Sequence, residues 1–172
     1  MWTDILLKVL LNLVLILIII QDFKTRTIIW WSPLVLFVIS LSIHYRYFEG
    51  FNFPYILTNL GFIFVQLLGL TLYFSWKKRK WVNIMIDFFG LGDILFLIPL
   101  CFIFTPINFI LFFIISLLFI LILSLIYQLK IKDKSNFTIP FAGMMAISLM
   151  INQFITKNTF DDFSILNQFI NY

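Results

Sequence analysis

"PINFILFFIISLLFILILSLIYQL", residues Pro106 to Leu129, runs for 24 positions without one charged side chain. At about 1.5 Å per residue, a helix of that length reaches about 36 Å, enough to cross a hydrocarbon core of about 30 Å. The rest of the chain has the same character. Of its 172 residues, 62% are hydrophobic and 12% charged, and the mean hydropathy is +1.06, well outside the range of soluble domains. The chain therefore reads as an all-α integral membrane protein.

Working outward from Pro106, the apolar runs mark six spans: Ile5 to Gln21, Pro33 to Tyr47, Pro54 to Trp76, Asp87 to Thr105, Pro106 to Leu129, and Pro140 to Ile155. Some are short for a full crossing and must tilt or borrow flanking residues. The expected architecture is a bundle of about six transmembrane helices in one domain, residues 1–157, followed by a short tail, residues 158–172, with an amphipathic pattern that suits a membrane surface. Ser32 before Pro33, Asn52 before Pro54 and Thr105 before Pro106 have the form of capping residues ahead of first-turn prolines. Pro99 falls inside the fourth span, where a kink is expected. The first span lacks a small-residue cleavage site and is kept as a helix.

Lysine and arginine set the orientation. Lys24, Arg26, Lys77, Lys78, Arg79, Lys80, Lys130, Lys132 and Lys134 follow the odd-numbered spans, whereas only Lys8, Arg46 and Lys157 fall on the opposite face. The positive-inside bias then predicts a multi-pass protein of the cytoplasmic (inner) membrane with both termini outside. Basic clusters placed in this way serve topology and lipid headgroups, and no nucleic-acid partner is implied. Trp30, Trp31, Trp76 and Trp81 read as an aromatic belt on the cytoplasmic side, and the lone His44 as an interfacial residue on the other. The single cysteine, Cys101, can form neither an intrachain disulfide nor a multi-cysteine metal site.

Against this apolar background, the acids at Asp22 and Asp93 stand out. Asp22 closes the first span and Asp93 lies near the start of the fourth, so both are expected at similar depth on the cytoplasmic side. An ionisable group at the mouth of a membrane helix is costly and implies a function or a partner. If the fourth span begins near Asp87, Asp93 lies about 9 Å along it. Gly90 and Gly92 just before it permit turns and close backbone approach. Asp87 is the rival second acid, but at about 100° per residue it projects from a different helical face.

Gly90-Leu91-Gly92-Asp93 resembles the GxGD signature of membrane aspartyl proteases, and the chain as a whole is similar to the type IV prepilin peptidases. Asp22-Phe23-Lys24-Thr25-Arg26-Thr27-Ile28 resembles that family's first aspartate with its trailing basic residues and isoleucine. Ile139-Pro140-Phe141-Ala142-Gly143 looks like the Pro-Phe-small motif that opens its last helix. The resemblance touches three separated places and spans nearly the whole six-helix core. Departures are Ile29-Trp30 in place of Pro-Asn, and Leu95 in place of a lysine near the second aspartate. The four-cysteine zinc motif of larger bifunctional members is absent, so the resemblance implies a short form that cleaves without methylating.

The resemblance implies a catalytic pair, Asp22 and Asp93, supported by Gly90 and Gly92. Its substrate would be a prepilin or pseudopilin, cut between a basic leader and an apolar helix, with Pro140, Phe141, Ala142 and Gly143 as candidate substrate contacts. Chemistry supports the pairing independently. An aspartic protease needs two carboxylates near enough to share one proton, so that one activates water while the other polarises the scissile carbonyl. Neither a metal nor an organic cofactor is required. One alternative is a presenilin-like intramembrane protease. Such enzymes place Tyr before the first aspartate and Ala-Leu after the later proline, where this chain has Gln21 and Phe141-Ala142. The other is a non-catalytic membrane subunit of a transport or secretion complex, which has no need of two acids at one depth.

Overall fold

The computed structural model describes residues 2–48, 50–81, 90–130 and 139–155. All regular structure among them is helical: α1 (Trp2–Thr25), α2 (Trp31–Tyr47), α3 (Phe53–Lys78), α4 (Leu91–Leu100), α5 (Pro106–Lys130) and α6 (Phe141–Ile155). Three segments, Trp2–Thr25, Phe53–Lys78 and Pro106–Leu129, are long and apolar enough to cross a membrane. The expected tail lies outside the described residues, as do Asp87, Lys132, Lys134 and Lys157.

The packing centres on α6, which touches α1, α4 and α5. Ala142, Met145, Ala146 and Leu149 form its buried stripe, meeting Leu11, Leu15 and Ile18 of α1 and Phe96, Leu97 and Leu100 of α4 in one apolar core. Small residues suit this role. In lipid there is little hydrophobic drive between helices, so close backbone approach and van der Waals contact hold them together. On the flanks, α2 packs against α1 and α4, and α3 against α5. The outward faces carry Leu13, Leu57, Val65, Leu118 and Ile122, all well exposed, as lipid-facing residues are.

The fourth span departs most from expectation. Its described helix starts at Leu91 and ends at Leu100, ten residues or about 15 Å, with Asp93 in its first turn instead of about 9 Å along it. Pro99 does not kink a long helix; it precedes the end of a short one. Three successive i to i−3 bonds follow, from the N–H groups of Cys101, Phe102 and Ile103 to the carbonyls of Ile98, Pro99 and Leu100. Irregular backbone at membrane depth must be satisfied by protein. Asn59 of α3 does this by donating Nδ2–H to the carbonyls of Cys101 and Phe104, both at 2.9 Å.

His44, expected at the membrane interface, completes that arrangement from inside the protein. Its ring is fully buried, with Nδ1–H donating to the Phe102 carbonyl at 2.9 Å and Nε2 accepting the Asn52 N–H at 3.1 Å. Asn52 is the N-cap residue of α3 with Pro54 in the first turn, as expected, but the caps are not made by side chains. Neither α2 nor α3 receives a side-chain cap bond; Ser32 lies inside α2, and Asn52 uses its backbone N–H on His44. Trp30, Trp31, Trp76 and Trp81 are all exposed, as an aromatic belt requires.

Candidate active site

Three helix ends meet at one end of the bundle. The last turn of α1 brings Asp22, the first turn of α4 brings Asp93, and the start of α6 brings Ala142 and Gly143. Asp22 is held through Oδ2, which accepts the Gly143 N–H at 2.6 Å. Asp93 Oδ1 accepts the Ala142 N–H at 3.3 Å, and its Oδ2 accepts the Gly90 N–H at 3.3 Å. Consecutive amides of one helix start therefore each bind a different carboxylate. Neighbouring Cα atoms are about 3.8 Å apart, so the two acids are anchored side by side.

The helix start suits this task. The first N–H groups of a helix have no partner within it, and the positive end of the helix dipole favours negative charge there. Pro140, just before α6, supplies the expected helix opening, and its carbonyl accepts the Met144 N–H at 3.0 Å. Among the described residues neither aspartate forms an ion pair. Both line a cleft of about 350 Å³ together with Arg26, Thr27, Ile28, Gly90, Leu91, Gly92 and Ile139. Asp22 is only 5% exposed, so its access to solvent is confined to that cleft.

The glycines divide into two kinds. At Gly143 a Cβ would lie 2.9 Å from Phe23 Cδ2 and 3.1 Å from Asp22 Oδ2, so only glycine lets α6 come this close to the end of α1. At Gly92 a Cβ would lie 3.0 Å from Ile28 Cβ, so the first turn of α4 presses directly on the α1–α2 connection. Gly90 has no such constraint. Its backbone is extended, φ −69° and ψ 145°, and a Cβ there would meet nothing closer than 3.5 Å. Its contribution is its N–H.

The expected residues thus converge, with some changes of role. Asp22, Asp93, Gly90 and Gly92 share one cleft. Ala142 and Gly143, expected as substrate contacts, have their amides engaged by the carboxylates, while Ile139 is the neighbour of that motif that lines the cleft. Arg26 also lines it, in the left-handed conformation with φ 56°, its N–H donating to the Asp22 carbonyl at 3.1 Å as α1 ends. Reading side chains alone could not reveal the amide cradle; a Pro-Phe-Ala-Gly helix opening was its only signal. No family model, no curated protein and no solved structure matches the chain.

Proposed function

We propose that this chain is a membrane-embedded aspartic endopeptidase that removes the basic leader of a type IV prepilin or pseudopilin precursor. The observation that carries the reading is the pair Asp22 and Asp93, anchored on consecutive amides of α6 and open to one cleft. Two adjacent acids with no cation bridging them among the described residues cannot both carry charge at low cost, and a shared proton resolves this. It also gives the pair its chemistry. The ionised partner takes a proton from a bound water, the water oxygen attacks the scissile carbonyl, and the protonated partner donates to the carbonyl oxygen. Collapse of the tetrahedral intermediate returns a proton to the leaving amine. No assignment of base and acid to one residue is needed, because the pair titrates as a unit.

The substrate class comes from the resemblance and is consistent with the setting. A cleft at the end of the bundle would meet the junction between a leader and an apolar helix lying in lipid beside the enzyme. Extended capture of that junction would present its amide to the water. The proposed location is the cytoplasmic membrane, with the cleft on the cytoplasmic side where the basic loops fall. Co-expression with candidate prepilins, reading product size for the native chain and for Asp93→Ala, tests the proposal. Cleavage by the native chain alone supports it, and retained cleavage by Asp93→Ala removes it.

A further inference from the structure

The α1–α2 connection lines the cleft through Arg26, Thr27 and Ile28, and one side chain of α1 bonds twice to its far side. Gln21 precedes Asp22 on α1. Residues adjacent on a helix project about 100° apart, so while Asp22 faces α6, Gln21 faces the connection. Its Oε1 accepts two hydrogen bonds from the far side of that connection, from the Ile29 N–H at 3.2 Å and from the Ser32 hydroxyl at 3.0 Å. Ser32 is fully buried, so this bond satisfies a group that has no access to water. Thr25 supports the near side, its hydroxyl donating to the Gln21 carbonyl at 2.8 Å and accepting the Thr27 hydroxyl at 2.9 Å. Between these anchors stands Ile28, the residue against which Gly92 packs.

We propose that Gln21 is a positioning residue: by clamping Ile29 and Ser32 it fixes Ile28, and Ile28 fixes the first turn of α4 that carries Asp93 relative to the α1 turn that carries Asp22. The proposal rests on the peptidase reading for its kinetic consequence, but not for its geometry. The chain of contacts runs from Gln21 through Ile29 and Ser32 to Ile28, then Gly92, then Asp93. Small displacements of reacting groups are costly, since about 1 Å of misplacement can lose about a hundredfold in rate. An acceptor oxygen at position 21 is what the clamp requires. Methionine matches the length of the side chain without supplying that oxygen, and glutamate supplies it.

The test uses the full-length chain in detergent or vesicles, with two readouts. In one, Gln21→Met and Gln21→Glu are compared with the native chain in prepilin cleavage. Gln21→Met should lower kcat by about 10- to 100-fold with a smaller change in KM, and Gln21→Glu should recover most of the loss. In the other, Thr27→Cys and Leu91→Cys, which line the cleft from the α1–α2 connection and from the start of α4, are bridged by a short bis-maleimide; Cys101 is buried and should not compete. Bridging should be efficient with Gln21 or Gln21→Glu and fall severalfold with Gln21→Met. Native kcat and native bridging in Gln21→Met would overturn the proposal, as would equal losses in Gln21→Met and Gln21→Glu. If the native chain cleaves no prepilin, the peptidase reading fails. The bridging yields then decide the clamp alone, a fall with Gln21→Met supporting it and no change overturning it.

Discussion

At one end of the bundle, Asp4 of α1 meets the guanidinium of Arg46 and the phenol of Tyr47, both from the end of α2. At the other end, Asp22 and Asp93 accept hydrogen bonds only from backbone amides among the described residues. The same side chain thus serves two purposes. A carboxylate paired with a cation at the surface has its charge neutralised and is part of the scaffold. Two carboxylates held by amides beside a cleft are, under the proposed function, available to share a proton. The two buried polar centres differ in the same way. His44 has both ring nitrogens engaged and closes the irregular turn after α4, whereas the two acids, side by side on consecutive amides, line an open cleft.

If that contrast is right, substitutions at the cleft end should remove cleavage and spare the fold, and substitutions at the far end should do the reverse. The largest effect short of removing an acid is expected from Gly143→Val. Its Cβ would fall within 3.1 Å of Asp22 Oδ2 and closer still to Phe23, forcing α6 from the position where its amides hold the pair. Cleavage should fall by about a hundredfold or more while the chain still inserts, measured by product formation against membrane yield. Gly92→Val comes next, with a loss of about tenfold or more, because Ile28 can shift somewhat. Gly90→Ala is its control and should remain within a few-fold of native, since the N–H that binds Asp93 is kept. Equal losses at Gly90 and Gly92 would show that the signature acts through chain flexibility and not through contact with Ile28.

At the far end His44→Leu should act on stability. It leaves the part-buried Asn52 N–H and Phe102 carbonyl without these partners, at up to about 1–3 kcal/mol for each orphaned group. The unfolding midpoint in detergent should fall, and the turnover of the folded fraction should stay near native. Smallest of all is Asp4→Asn. It removes an exposed ion pair, a kind of contact that contributes little in water, so both midpoint and turnover should be nearly unchanged. A loss of turnover in either far-end variant would break the division of labour between the two ends.

The parts of this arrangement differ in how far they could be read from residue order. Long apolar runs announce helices because the membrane leaves few alternatives, and the spans at Pro106 and Pro54 begin within a residue or so of expectation. Asp22 and Asp93 stand out for the same reason, as acids in an apolar chain. His44 was not legible, because its burial depends on the turn after α4, and that turn depends on Pro99 ending a helix instead of bending it. The amide cradle was hidden because backbone groups are the same at every position, and only the fold selects Ala142 and Gly143. Gln21 was hidden too. A glutamine at a helix end reads as a solvated residue until its partners at positions 29 and 32 are brought beside it.

The claim that the two acids act as one unit is tested most directly by Asp22→Asn and Asp93→Asn, made singly and together, with prepilin cleavage as the readout. Each substitution keeps the size and polarity of the side chain and removes its titration. The account predicts that each single variant loses at least about a thousandfold in kcat and that the double variant is hardly worse than either, because residues sharing one function are strongly non-additive. The native pH profile should be bell-shaped, with both limbs belonging to the pair. Substantial cleavage by Asp22→Asn, with cleavage lost instead in Asp87→Asn, would contradict it and assign the second acid to Asp87.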